Sequence, residues 1–124
     1  MNHSGNVLAF IGDAYLSLQV RDYMIELGYN QLKKMQETST QFVSAKSQAD
    51  FMNYLMESQE ISDEELIYYK RGRNAKSKSM AKNADMIEYR VATGLESMWG
   101  YLYLMKDFER LDHLWSMFKE RVAL

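Results

Sequence analysis

Two carboxylates in this sequence lie in runs of apolar residues. Asp13 is the only charged residue among the first 20, and Glu96 is the only one from Val91 to Met105. An unpartnered carboxylate in such surroundings costs several kcal/mol or is driven to its neutral form. Because neither run contains a cation, a divalent metal ion held by both acids is one resolution, and their hard oxygen ligands suit Mg²⁺ or Mn²⁺. The alternative is that each acid lies on the exposed edge of its helix or caps a neighbouring helix.

Glycines accompany both acids. Gly12 precedes Asp13, and Gly94 and Gly100 flank Glu96. A glycine inside a helix costs about 1 kcal/mol relative to alanine, and close packing of two helices can offset that cost. Such an approach would also bring the two carboxylates within reach of one ion, although packing alone is enough to explain the glycines.

The basic residues are concentrated in one segment. From Lys70 to Lys82 the chain has six basic residues and no acid, although its overall net charge is −2. Outside this segment nine basic residues stand against 17 acids, a net charge of −8. We interpret residues 72–83 as a long cationic loop that meets an anion, of which nucleic acid is the common case. A solvated surface loop without a ligand is the alternative.

A metal held by carboxylates, together with a cationic segment, is the minimum equipment for hydrolysing a phosphodiester. The chain has no cysteine, which excludes disulfide frameworks, thiolate metal sites and cysteine nucleophiles, and it has only two histidines. It contains no P-loop or glycine-rich dinucleotide fingerprint. A helical nucleotide pyrophosphohydrolase is another enzyme class to consider. It would need acid clusters on more than one helix, and only residues 63–65 approach such a cluster.

The composition predicts an all-α protein. Its 124 residues suit a single domain, which we place at residues 1–124, and proline is absent. No run of about 18 apolar residues and no signal pattern is present, so we expect a soluble protein with no membrane partner. Six or seven helices are predicted. The first is expected to have one side formed by Leu8, Ile11, Tyr15, Leu18, Asp22 and Ile25, with Phe10, Ala14 and Leu16 widening its apolar face. The residues of the last helix that are expected to face the core are Phe108, Leu111, Leu114, Trp115 and Phe118. Capping and periodicity place the helices at residues 7–27, 30–38, 44–56, 62–71, 84–105 and 107–122.

These motifs resemble the ribonuclease III family. Residues 6–16, NVLAFIGDAYL, are similar to its signature helix, and residues 94–104, GLESMWGYLYL, are similar to its second metal-binding helix. The greatest similarity is to mini-ribonuclease III, the short branch without a double-stranded-RNA-binding domain. It extends to FVSAKSQA at 42–49, RGRNAKS at 71–77, KNAD at 82–85 and YRVATGLES at 89–97. The resemblance covers nearly the whole chain in the same order, and it implies the helical fold of that nuclease domain.

The resemblance also implies roles for individual residues. Asp13 and Glu96 match the family's metal-binding acids, which implies that they are catalytic and hold Mg²⁺, with Mn²⁺ as a substitute. The larger enzymes have two further acids, where this sequence has Ala9 and Thr93, so one firmly held ion is expected. Phe10 matches an aromatic or large apolar residue that contacts the partner subunit, and the alternative is that it is an ordinary core aromatic. The residues expected to bind RNA are Lys46, Arg71, Arg73, Asn74, Lys76, Lys78, Lys82 and Asn83.

The function implied by the resemblance is that of a cytoplasmic, homodimeric endoribonuclease. It would cleave double-stranded RNA and leave 5′-phosphate and 3′-hydroxyl ends. The family's substrates include precursor ribosomal RNA, at the ends of the large-subunit precursor. The alternative is a non-catalytic helical protein that binds duplex RNA through the same loop, in which case Asp13 and Glu96 would be dispensable for both binding and biological activity.

Overall fold

A computed structural model describes residues 1–75 and 84–124, and within these ranges all regular structure is α-helical. The prediction of an all-α fold with about six helices is therefore confirmed for the described part of the chain. The helices are α1 (Gly5–Glu26), α2 (Leu32–Val43), α3 (Ala45–Glu57), α4 (Asp63–Arg73), α5 (Ala84–Leu104) and α6 (Phe108–Arg121).

Helices α1 and α5 cross at their glycines. A Cβ atom placed on Gly12 would overlap the carbonyl oxygen of Glu96, and one placed on Gly100 would overlap the carbonyl oxygen of Leu8. The two backbones are thus in direct contact, which no larger residue at either position would allow. The sequence-based prediction that glycines mark a close helix approach is confirmed at this crossing.

Helix α4 packs against α5 at Gly94, whereas α1 contacts α5 at Gly100. The ring of Tyr69 lies against Gly94, and Gly72 lies against the side chain of Ser97, whose hydroxyl donates to the carbonyl of Tyr68 at 2.8 Å. The start of α4 is fixed by the Ser62–Glu65 capping box. Helix α5 is consequently held between α1 and α4, with its small residues at both contacts.

The remaining core is a cluster of aromatic rings contributed by α2, α3 and α6. The Phe42 ring packs edge-on against Phe118 with centroids 5.4 Å apart, and Phe51 stacks on Phe118 at 4.2 Å. Trp115 adds a ring 5.1 Å from Phe42. Tyr23 of α1 packs edge-on against Phe42 and Trp115, so the cluster joins the outer helices to α1.

The predicted core face of α1 was wrong in part, because Leu8 and Leu16 are buried as predicted but other members of that face are not. Leu18 and Ile25 are more than half exposed, whereas the buried face consists of Gly5, Leu8, Ala9, Gly12, Leu16, Val20 and Met24. Helix α1 is apolar on nearly every side, so periodicity alone does not determine which side packs. The glycines determine it, because only the side carrying Gly5 and Gly12 lets other backbones approach.

Three further sequence-based assignments need correction. The predicted loop at 72–83 begins too early, because α4 continues through Gly72 and Arg73, where Gly72 is held against α5. Residues 76–83 of that loop lie outside the described part of the chain. Phe108 does not face the core as predicted: it lies at the start of α6, 41% exposed, against the rings of Tyr15 and Tyr103. Helix α2 is longer than predicted and ends at Val43.

Candidate active site

Asp13 and Glu96 meet beside the crossing of α1 and α5. Asp13 follows Gly12 directly, and it is the backbone of Glu96 that Gly12 contacts. The two carboxyl groups come within hydrogen-bonding reach of each other, with Asp13 exposed and Glu96 only partly so. The glycine crossing therefore positions both acids. Asp13 is exposed, as the helix-edge alternative has it, whereas Glu96 is only partly exposed.

The environment of Glu96 disfavours its charged form. Burial raises the pKa of this carboxyl to about 8, and a hydrogen bond to Asp13 and the negative charge of Asp13 act in the same direction. A hydrogen bond from the Gln48 amide partly opposes the increase in the Glu96 pKa. At neutral pH the protonated form of Glu96 is therefore favoured in the metal-free protein.

The donor set fits a divalent cation. Both acids offer hard oxygen ligands, and in residues 1–75 and 84–124 neither of them forms a salt bridge with a basic side chain. The described residues contain no cluster of three or more acidic, histidine or cysteine side chains. Ala9 is buried, and the hydroxyl of Thr93 donates to the carbonyl of Tyr89 at 2.9 Å. An ion held here would thus take its remaining ligands from water and substrate.

Gln48 is a site residue that the sequence analysis missed. Its side chain is only 1% exposed, and its Nε2 donates to Glu96 Oε2 at 3.4 Å and to the carbonyl of Val43 at 3.2 Å. A signal was present in the sequence. Gln48 lies four and seven residues before the buried Met52 and Leu55, so it is a polar residue on an apolar helix face.

Three of the predicted RNA-binding residues lie at the end of α4. The Arg71 guanidinium donates to the carbonyls of Met1 and His3, both at 3.0 Å, and stacks over the ring of Tyr68. Arg73 is exposed and Asn74 caps the helix. Arg71 thus holds the N-terminal segment in place, whereas Arg73 is exposed and hydrogen-bonds the side chain of Tyr69.

Of the other predicted RNA-binding residues, Lys46 lies in the described part of the chain. Lys46 is exposed on the first turn of α3, where its ammonium pairs with Asp50 at 3.0 Å. The remaining four, Lys76, Lys78, Lys82 and Asn83, lie outside the described residues. The described residues therefore provide a partial cationic surface, and the RNA-binding roles stay predictions.

Phe10 belongs to a stripe of apolar residues on the outer side of α1, opposite the buried face. Its side chain is 81% exposed, and Val7, Leu18 and Ile25 on the same side are each at least half exposed. We call these four residues the α1 stripe. Their spacing of three, eight and seven residues places them within about one quarter of the helix circumference. Such an apolar row in water is typical of a surface that packs against a partner.

Comparison with known proteins identifies the family. The sequence model of the ribonuclease III domain matches residues 6–107. The chain belongs to the ribonuclease III family. Curated relatives include Mini-ribonuclease 3 of Enterococcus faecalis, 46% identical over 90% of this chain and 84% of the relative. Mini-ribonuclease 3 of Streptococcus pneumoniae is 40% identical over 96% of this chain and 93% of the relative.

A solved structure supports the same fold. A Fusobacterium nucleatum protein determined by X-ray crystallography superposes with a TM-score of 0.84 at 29% identity, over 94% of this chain and 93% of that one. The chain is therefore a ribonuclease III family endoribonuclease, of the class that acts on double-stranded RNA, and enzymes of this family use divalent metal ions. None of the helices in the described residues is long and apolar enough to span a membrane.

The pKa of Glu96 predicts how stability depends on pH. The pKa of Glu96 is about 8 in the folded protein, whereas the ordinary value for a glutamate is 4.5. Between these values the folded state holds a proton that the unfolded state has lost, so the metal-free protein should lose stability as pH rises from 4.5 to 8. Glu96→Gln has no charge to bury, so in EDTA it should be more stable than the wild type at pH 8, by on the order of 1–2 kcal/mol. Urea unfolding between pH 5 and 8.5 measures this. Parallel curves for the two proteins would contradict the raised pKa.

Proposed function

We propose that this chain is a Mg²⁺-dependent, homodimeric endoribonuclease that cleaves double-stranded RNA. The observation that carries the proposal is the pair of carboxylates, Asp13 and Glu96, brought together by backbone contact between α1 and α5. Family membership supplies the reaction class, and the site supplies residues suited to it. We take residues 1–124 as one catalytic domain.

Asp13 and Glu96 are proposed to hold the ion, with Mg²⁺ as the physiological metal and Mn²⁺ as a substitute. When bound, a divalent ion supplies an activated water and a positive charge opposite the phosphodiester. The two carboxylates fix the position of the cleaved phosphate relative to the fold, and the products are a 5′-phosphate and a 3′-hydroxyl. Because Ala9 and Thr93 provide no acid, one firmly held ion per site is proposed.

The RNA is proposed to approach along the end of α4 and the cationic segment that follows it. Duplex RNA is recognised mainly through its phosphates, its 2′-hydroxyls and its shape, so a row of cations can bind it without a dedicated RNA-binding domain. Arg73 is the exposed guanidinium at this end of α4, and Asn74 follows it. Lys46 on α3, Lys76, Lys78, Lys82 and Asn83 complete the proposed surface, to which Arg71 contributes if its contacts with Met1 and His3 are exchanged for phosphate.

The α1 stripe is proposed as the dimer contact. In an isologous dimer the same patch meets itself across a two-fold axis, and an apolar helix face with Phe10 at 81% exposure suits that geometry. Asp13 is three residues from Phe10, so the two active sites of such a dimer would lie close to the interface. Each site would then cut one strand of a single duplex. We propose precursor ribosomal RNA as the substrate, and the cytoplasm as the location.

Removing one carboxylate tests the catalytic site. Asp13→Asn should lower cleavage of a labelled RNA duplex in Mg²⁺ by at least about 100-fold while leaving duplex binding in EDTA unchanged, because the amide cannot replace an anionic oxygen ligand. Asp22→Asn, the same exchange on an exposed position of α1, is the matched control and should cleave like the wild type. Equal cleavage by Asp13→Asn and Asp22→Asn would refute the site. If both acids proved dispensable for binding and biological activity alike, the non-catalytic alternative would be favoured.

Charge reversal tests the RNA surface. The double variant Arg73→Glu/Lys76→Glu should weaken duplex binding and reduce the slope of log K against log salt by roughly 1 for each phosphate that the protein no longer neutralises. Lys33→Glu/Lys34→Glu on α2 changes the net charge equally, elsewhere on the protein, and serves as the control. Fluorescence anisotropy from 50 to 300 mM KCl measures both. Identical slopes for the two double variants would place the duplex on another surface.

A charge in the α1 stripe tests the dimer. Phe10→Glu should convert the protein to a monomer, because an apolar interface does not tolerate a buried, unpaired carboxylate. Ile67→Glu introduces the same charge at a residue of α4 that is 57% exposed and outside the stripe, and it should leave the dimer intact. Sedimentation equilibrium gives the mass. A wild-type monomer, or a dimer that survives Phe10→Glu, would exclude this interface.

A further inference from the structure

Gln48 links three helices through one amide group. It lies on α3, it donates to the carbonyl of Val43 at the end of α2, and it donates to the carboxylate of Glu96 on α5. The carbonyls of the last helical turn have no partner within their own helix, so the contact with Val43 also satisfies an acceptor left by α2. Among the described residues, Gln48 is the side chain that hydrogen-bonds Glu96 from outside the carboxylate pair.

The orientation of the amide is fixed by its neighbours. Nε2 has two hydrogens, and both are directed at acceptors: the Val43 carbonyl and Glu96 Oε2. Rotating the amide by half a turn would place Oε1 against those same two acceptors and create two repulsive contacts. Oε1 itself is buried and has no hydrogen-bond partner among the described residues. An unsatisfied buried carbonyl is destabilising, so it is the two hydrogen bonds of Nε2 that favour this orientation of the amide.

The hydrogen bond from Gln48 affects both the orientation and the ionisation of the Glu96 carboxyl group. A hydrogen bond to Oε2 restricts rotation of the Glu96 carboxylate, which is also within hydrogen-bonding reach of Asp13. The same hydrogen bond favours the ionised form, so it opposes the effect of burial on the Glu96 pKa. A metal ligand must be both ionised and correctly turned, and groups that orient ligands in this way commonly change metal affinity or activity by about 10- to 100-fold.

We propose that Gln48 is a positioning residue, whose amide holds the Glu96 carboxylate turned toward Asp13 and thereby determines how tightly the site binds a divalent cation. This inference rests on the proposed function, since it takes Asp13 and Glu96 as the ligands. Gln48 is not itself a catalytic residue, because it touches Glu96 rather than the substrate.

The chain offers a matched control in Gln19. This glutamine of α1 also makes a side-chain hydrogen bond, from Trp99 Nε1 to its Oε1 at 2.8 Å, and it also has one buried amide atom without a partner, Nε2. In the described part of the chain, Gln19 makes no hydrogen bond to either carboxylate. Exchanging either glutamine for methionine keeps the length of the side chain and removes its hydrogen bonds. A decrease in stability alone should therefore affect the two variants alike.

The experiment is a Mg²⁺ titration of Gln48→Met and Gln19→Met with two measurements. The first is the increase in Tm of the RNA-free protein with added Mg²⁺, and the second is cleavage of an RNA duplex. Gln48→Met should raise the Mg²⁺ concentration for half-maximal effect about tenfold in both, with the rate at saturating Mg²⁺ within about threefold of wild type. Gln19→Met should lower Tm without moving the Mg²⁺ midpoint. Equal midpoints in the two variants would overturn the proposal.

A measurement on the wild type covers the case in which Gln48→Met does not fold. The side-chain amide of Gln48 should shift in ¹⁵N–¹H NMR spectra when Mg²⁺ is added, while the amide of Gln19 should stay in place. An unmoved Gln48 signal at saturating Mg²⁺ would refute the proposal. Asp13→Asn separates this inference from the proposed function. If that variant loses cleavage while Gln48→Met keeps the wild-type Mg²⁺ midpoint, the proposed metal site is supported and the proposed role of Gln48 is refuted. If Asp13→Asn keeps both cleavage and midpoint, the site itself is wrong.

Discussion

The direct contact between the backbones of α1 and α5 is the constraint on which the site depends. Gly12 and Gly100 allow each helix to rest on a carbonyl of the other, and Asp13 and Glu96 lie immediately beside that contact. An added methyl group at either glycine would push the helices apart, and the separation of the carboxylates would change with it. The conformational cost of glycine in a helix is thus offset by a short distance between two functional groups.

Bringing two acids together creates an electrostatic cost that the fold does not relieve by itself. Burial and the charge of Asp13 raise the pKa of Glu96, and in the described residues the group that opposes them is the neutral amide of Gln48. A lysine or arginine in its place would pair with the carboxylates and compete with a cation for them. A neutral donor can hold a carboxylate in position without neutralising it, which suits a site that must remain able to accept a metal ion.

The sequence predicted the meeting of Asp13 and Glu96 better than it predicted the packing around them. A lone acid in an apolar run is energetically unfavourable, and such a residue can be recognised from the sequence alone. The glycines beside Asp13 and Glu96 indicated the close helix approach that brings the two acids together. The core face of α1 could not be predicted in this way. A helix that is apolar on most sides has no single preferred face, and its partner is selected by backbone contacts at Gly5 and Gly12. Gln48 was missed because its partner lies 48 residues away in the chain.

Helix α1 is apolar on nearly every side, so periodicity does not predict its core face, and the same property suits α1 to the proposed dimer contact. Its inner side is occupied by α5, yet Phe10, Leu18 and Ile25 remain exposed on its outer side. A surface helix with only one partner would be expected to carry polar residues there. Helix α1 would therefore lie between two partners, with Asp13 at the boundary of its inner and outer sides. In the proposed dimer, a shift of α1 at the subunit contact would be transmitted to the carboxylate pair through a single helix, so subunit association and the geometry of the proposed metal site would be linked.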